Sequence, residues 1–230
     1  MQGDSCDISN KGASCCSTSS QPEQTNLKTH WNNAYSNSAE EQLGWHETDL
    51  SPSLKLIEKT NLDKAANILM VGGGTTLLVD ALNDKSYSNL TITDISDVSL
   101  DNLKTRLGKD GNKFDYIVDD LLAPKELLNI NPVDLWIDRA VLHFFTEPSD
   151  QNTYFNLLKD KVKSGGYVLL AEFNLSGATK CSGLDVHRYD SSMLQQKLGN
   201  EYELLEAFDF TYTMPSGDLR PYIYTLFKKR

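Results

Sequence analysis

Three groups of residues in this chain have the types and spacing that hold a nucleoside. Gly72, Gly73 and Gly74 follow the apolar run Ile68-Leu69-Met70-Val71, and glycines after a strand let a ligand come close to the backbone. Asp94 closes a second β-rich run, Thr91-Ile92-Thr93-Asp94, where a carboxylate accepts both hydroxyls of a ribose. Asp119-Asp120 closes a third run, placing another acceptor beside an attached base. Tight turns and helix-capping acids would explain each group singly, but three strands ending in the same pattern favour the nucleoside. The dinucleotide fingerprint G-x-G-x-x-G fails, because Leu77 stands at its third glycine. That glycine serves close helix packing near a pyrophosphate, so the pattern points to an adenosine ligand without one.

A second set of reactive side chains follows the later strands. Asp138, Arg139 and His143 come after the fourth apolar run, Val133–Ile137. Arg139 is read either as a partner of Asp138 or as a substrate-binding group. His143, flanked by Leu142, Phe144 and Phe145, is read either as a core histidine or as a base. After the fifth run, the stretch 174–189 is long for a connector and carries Cys181, His187 and Arg188 near its close. It reads as a lid over a second ligand, with an ordinary surface excursion as the alternative.

These residues need elements to position them. Trp31, Ala34 and Tyr35 fall at helical spacing, followed by an aromatic-bearing loop at Leu43-Gly44-Trp45-His46, and Ser51-Pro52 reads as the N-cap and first residue of a helix. Strands at 68–71, 90–95, 116–118, 133–137 and 167–173 then alternate with helices. One of these is capped by Ser96, and another, through Tyr154 and Leu158, stops at Ser164-Gly165-Gly166. Near-continuous apolar strands in a βαβα rhythm require a parallel sheet covered on both faces. The rhythm breaks after a helix capped by Ser191. Tyr202–Tyr212 and Pro221–Lys228, joined by Met214-Pro215-Ser216-Gly217-Asp218, read as antiparallel neighbours.

Taken together, Val71-Gly72-Gly73-Gly74-Thr75-Thr76, Asp94-Ile95-Ser96, Asp119-Asp120-Leu121, Asp134–Arg139, Lys163–Tyr167 and the closing hairpin resemble the motifs of the class I S-adenosylmethionine-dependent methyltransferases. The resemblance covers residues 28–230. It implies an α/β, doubly wound, mostly parallel seven-stranded sheet (Rossmann-like) with a C-terminal antiparallel hairpin. S-adenosyl-L-methionine would be the methyl donor and S-adenosyl-L-homocysteine the product. The resemblance further implies that Gly72 and Gly74 approach the methionine part, that Asp94 with Ile95 binds the ribose, and that Asp120 with Leu121 flanks the adenine. Asp138 would face the amino or methyl end, and Trp31 and Tyr35 would close over the cofactor. There are two departures: Met70 stands where many members carry an acid, a role that would pass to Asp138 or water, and Thr76 stands where a third glycine is usual.

On the acceptor side the resemblance makes Asp138, Arg139, His143, Cys181, His187 and Arg188 the catalytic candidates. Cys181 would be pocket-lining, since direct displacement needs no covalent nucleophile. Adenine-N6 methylation is disfavoured because the fourth strand ends in Asp138-Arg139-Ala140-Val141. The likeness extends to small-molecule enzymes, including thiol and chalcogen methylators. A thiol, with a reference pKa near 8.5, needs only modest help to ionise. Protein lysine methylation and a nucleoside-binding module without catalysis are the alternatives.

Composition bounds these readings. At 230 residues, 39% hydrophobic and 23% charged, the chain suits one ordinary α/β domain. Its 22 basic and 32 acidic residues give a net charge of −10, which disfavours nucleic-acid and anionic-lipid partners. No apolar run approaches the roughly 20 residues of a membrane span. The N-terminus lacks a basic start and an apolar core, and Gln2 excludes N-myristoylation, so a cytoplasmic protein is expected. Residues 1–26 read as a flexible tail and 27–230 as the working domain. The tail's Cys6, Cys15 and Cys16 form no disulfide framework or zinc pattern, so reduced thiols and no metal are expected.

Overall fold

The computed structural model describes residues 26–230. The expected tail and its Cys6, Cys15 and Cys16 lie outside the described residues, Asn26 excepted. Asn26 belongs to the fold: its side chain accepts from Thr29 N (3.0 Å) and caps helix α1, Leu27–Asn37.

The apolar runs form the expected strands. They are β1 (Ile68–Val71), β2 (Leu90–Asp94), β3 (Asp115–Val118), β4 (Val133–Arg139) and β5 (Val162–Phe173). A short pair, β6 (Lys180–Cys181) and β7 (Leu184–Asp185), stands apart, and β8 (Tyr202–Thr213) and β9 (Leu219–Lys229) close the chain. One seven-stranded sheet runs in the order β3-β2-β1-β4-β5-β9-β8. The first five strands are parallel, and β9 pairs antiparallel with both β5 and β8.

Side chains alternate across this sheet. Ile68 and Met70 join Leu56, Ile57 and Leu103 in the core on one face, whereas Leu69 and Val71 join Trp136, Tyr154 and Leu158 on the other. The helices that supply these faces are α2 (Ser51–Lys59), α3 (Leu78–Asp84), α4 (Asp97–Leu107), α5 (Pro148–Lys161) and α6 (Ser191–Leu198).

Local signals and structure differ at several element ends. Ser96 caps α4 as expected, accepting from Ser99 N (3.1 Å). Helix α6 is capped by Asp190, which accepts from Met193 N (2.8 Å), so Ser191 is its first residue. Leu50, not Ser51, is the cap of α2, and it carries no side-chain cap bond. Strand β5 begins at Val162, because the backbone runs extended through the expected helix stop, with Gly165 taking φ +79°. Among the described residues no helix is long and apolar enough to cross a membrane.

Candidate active site

The carboxyl ends of β1, β2 and β4 open into a cleft, the position where open α/β sheets hold ligands. Gly72 and Gly74 turn the chain out of β1 with φ of +58° and +45°. A Cβ at Gly72 would strike Val141, and one at Gly74 would strike the Tyr35 hydroxyl. The glycines therefore serve the turn and the close packing above it.

Asp94 fastens this turn. Its Oδ2 accepts from Gly74 N (2.9 Å) and its Oδ1 from Ser96 N (2.9 Å). Each oxygen keeps a further lone pair for a ribose hydroxyl. Burial raises its pKa to about 6 despite those N–H bonds. Tyr35 covers the loop, and its hydroxyl accepts from Trp45 Nε1 (3.2 Å).

Arg106, on α4, gave no signal in the sequence. It donates to the carbonyls of Thr75 and Thr76 (both 2.8 Å) and pairs with Asp80 (2.7 Å) and Glu40. One guanidinium thus ties down the end of the glycine loop at Thr76.

Gly72, Asp94, Ile95, Asp120, Leu121, Trp31 and Tyr35 all meet on the wall of this cleft, while Gly74 sits just behind it under Tyr35. Asp119 spends its carboxylate on the N–H groups of Asp120, Lys125 and Leu127, which shapes the loop. Asp120 uses Oδ1 on Leu122 N (2.9 Å). The wall accordingly offers glycine backbone, a ribose acceptor, a base-side acid and an aromatic cover, a set that fits an adenosine-bearing cofactor.

The acceptor-side candidates divide. Asp138 does not face the cleft, contrary to expectation. Ala140, at φ +67°, reverses the chain so that Val141 N and Leu142 N donate to the Asp138 carboxylate (3.0 and 3.2 Å), and Tyr154 OH adds a third bond (2.5 Å). Burial and neighbouring Glu172 raise its pKa well above the carboxylate range. His143 is also sealed in, stacked on Phe173 (4.6 Å) with Nδ1 3.0 Å from Glu172 Oε2. Burial lowers its pKa to about 3, so it is neutral at physiological pH and lies outside the cleft.

His187 and Arg188 are loop-holding residues. His187 N donates to His143 O (2.7 Å), and Arg188 Nη1 donates to the carbonyls of Leu175 (2.8 Å) and Gly177 (3.3 Å). Neither lines the cleft. The Arg188 bonds hold the expected lid to itself, whereas His187 N and Ser182 Oγ, beside His30 Nε2 (3.2 Å), fasten it to the body. Cys181, at the tip of β6, does reach the cleft, and burial pushes its thiol up to about 11, so it stays protonated.

Arg139 also lines the cleft, and its ion-pair partner is Glu47 (3.0 Å) rather than Asp138. It bonds Tyr224 OH (3.3 Å) and Trp45 O (3.3 Å), and its guanidinium lies over Tyr212 (5.1 Å) and Tyr222 (4.9 Å). Its buried Nη2 has no acceptor among the described residues. Glu47, which the sequence did not single out, accepts from Tyr224 OH (3.0 Å) and is held above the usual carboxylate range by burial. Met70 and Glu47 both line the cleft, whereas Asp138 does not. Among the described residues no cluster of His, Cys, Asp or Glu could hold a metal ion.

Comparison with known proteins agrees with this geometry. A family described as a methyltransferase domain matches residues 69–170. No protein of curated function matches in sequence. A methyltransferase structure from Anabaena variabilis, described as S-adenosylmethionine-dependent, is 13% identical, with TM-score 0.72 over 89% of this chain and 93% of its own. The N-methyltransferase NodS of Bradyrhizobium japonicum, in complex with S-adenosyl-L-homocysteine, is 12% identical, with TM-score 0.64 over 89% and 98%. A structure concerned with conversion of a disulfide bond into a thioacetal group during echinomycin biosynthesis is 15% identical, with TM-score 0.68 over 88% and 92%.

Proposed function

We propose that this chain is a class I S-adenosylmethionine-dependent methyltransferase that acts on a small molecule and delivers the methyl group to the sulfur of a thiol or related chalcogen compound. The cofactor supplies an electrophilic methyl group, and the protein's task is to aim a nucleophile at it in line. Asp94 takes the ribose hydroxyls, the Gly72–Gly73 backbone faces the methionine part, and Asp120 with Leu121 flanks the base. Trp31 and Tyr35 close over the whole.

The observation that carries the acceptor assignment is Arg139. Its guanidinium stands on the cleft wall with Trp31, Trp45 and Phe144, paired with the Glu47 carboxyl (3.0 Å). Even with Glu47 offsetting part of its charge, a guanidinium on this wall favours a thiolate over a thiol. Asp138 and His143 are turned away, which suits an acceptor that ionises with little help. The likeness to the echinomycin structure, whose subject is chemistry at sulfur, supports the same reading.

Amines, protein lysines included, form the second reading. The likeness to NodS and the Glu47 carboxyl on the cleft wall favour it. The two are separated by following S-adenosylhomocysteine formation across small thiols, sulfide, selenite, amines, phenols and a basic protein extract. Turnover with thiols or chalcogens is expected, and product from amines or protein alone would transfer the assignment to the second reading.

A further inference from the structure

A second cavity, of about 320 Å³, adjoins the cofactor cleft, and Trp45 and Cys181 line both. Phe173, Tyr222 and Met214 give it apolar walls, and its charged lining residues are Arg220 and Lys180, with no carboxylate among the residues that line it. In a chain with 32 acidic and 22 basic residues, a cavity lined by cations alone runs against the composition. Lys180 is matched by Asp185 (2.6 Å). Arg220 donates to its neighbour's carbonyl, Leu219 O (3.2 Å), and pairs with no carboxylate among the described residues. Tyr222 ties the two spaces together, since it lines the second cavity and lies beneath the Arg139 guanidinium.

We infer that this cavity is the acceptor subsite and that Arg220 selects acceptors carrying a small anion, a carboxylate first, at the end away from the nucleophilic atom. The inference rests on the methyl-transfer reading and deepens it by adding a charge requirement to the acceptor. The cavity has the size for a small acid, its aromatic walls take the stem, and a guanidinium holds a carboxylate through paired N–H bonds. The nucleophilic end then lies toward Cys181 and Trp45, where the cavity meets the cleft. For a thiol acceptor, the S–H proton leaves to solvent and the thiolate sulfur forms its bond to the methyl carbon. The sulfonium–methyl bond breaks, its electron pair goes to the departing sulfur, and the anionic end is unchanged.

Two measurements test this. The first is calorimetric binding of 3-(methylthio)propionate and of 2-(methylthio)ethanol, in the presence of S-adenosylhomocysteine. The acid should bind at least tenfold more tightly than the alcohol, and R220Q should abolish that difference while R220K restores part of it. Equal affinities in the native protein, or a difference that survives in R220Q, would overturn the inference. The second is turnover of 3-mercaptopropionate, 2-mercaptoethanesulfonate and 2-mercaptoethanol, with concentrations expressed as thiolate. R220Q should collapse the kcat/KM ratio between anionic and neutral thiols toward one, mainly through KM, and the two anions report whether a carboxylate or a sulfonate fits. A fall common to all three thiols would indicate a merely structural arginine and contradict the inference. If the acid binds but no thiol turns over, the subsite stands and the sulfur assignment fails.

Discussion

Asp94 does two jobs with one carboxylate, holding the glycine turn through Gly74 N and Ser96 N and facing the place where a ribose would lie. Replacement by Asn should weaken cofactor binding by about 1–3 kcal/mol, the cost of leaving hydroxyl donors unpaired, as measured by calorimetry. Because its pKa is raised to about 6, lowering the pH through 6 protonates the acceptor. Cofactor affinity should therefore fall on the acid side in the native protein and stay flat in D94N. Glu172 gives a test of opposite direction. Burial lifts its pKa to about 8, above the roughly 4.3 of an unfolded glutamate. Between those values the folded chain binds a proton that the unfolded chain does not, so this contribution to stability is lost as the pH rises. Thermal melts from pH 5 to 8 should show Tm falling more in the native protein than in E172Q, which mimics the neutral form. A parallel decline in both would contradict the buried, protonated Glu172. At this scale the place of Asp94 at a strand end on the cleft wall was legible in the sequence, because it is a local pattern. The inward turn of Asp138 was not legible, since it depends on a left-handed Ala140 that no residue type announces.

At the scale of elements, the glycine loop is shaped from below by Asp94 and clamped from the side by α4 through Arg106. Its guanidinium is half-sheltered and answers two carbonyls and two carboxylates at once. R106Q would leave the carboxylates of Glu40 and Asp80 without their cation and free the Thr75–Thr76 carbonyls. Lower Tm and weaker cofactor binding are expected together, and an unchanged cofactor affinity would show that the loop holds its shape without the clamp. The βαβ alternation and the closing hairpin were readable from apolar periodicity, since each strand's burial is written in its own residues. The clamp, and the Glu47–Arg139 pair that joins the α1–α2 connection to β4, were not. Both link residues far apart in sequence, and neither partner differs in type from an ordinary surface charge. Element ends such as the Asp190 cap and the start of β5 at Val162 were misplaced for a similar reason: a serine and a pair of glycines are plausible stops wherever they fall.

For the whole molecule, the acidic composition and the site are reconciled by where the charges stand. Asp94, Asp119 and Asp120 sit at strand ends serving loops and the cofactor cleft, while Arg139 and Arg220 gather on the acceptor side. Asn26 caps α1, the first helix among the described residues. A chain starting there should keep its cofactor affinity and turnover, and a large loss of turnover with unchanged affinity would give the N-terminal segment and its three cysteines a part in the chemistry. The proposed reaction is methyl transfer from S-adenosylmethionine to a small sulfur or chalcogen nucleophile. It is tested most directly by supplying cofactor labelled in the methyl group, together with an equimolar mixture of small thiols and amines, and locating the label by mass spectrometry. The account predicts labelled methyl thioethers; label confined to amines, or none transferred while the cofactor binds, would contradict it.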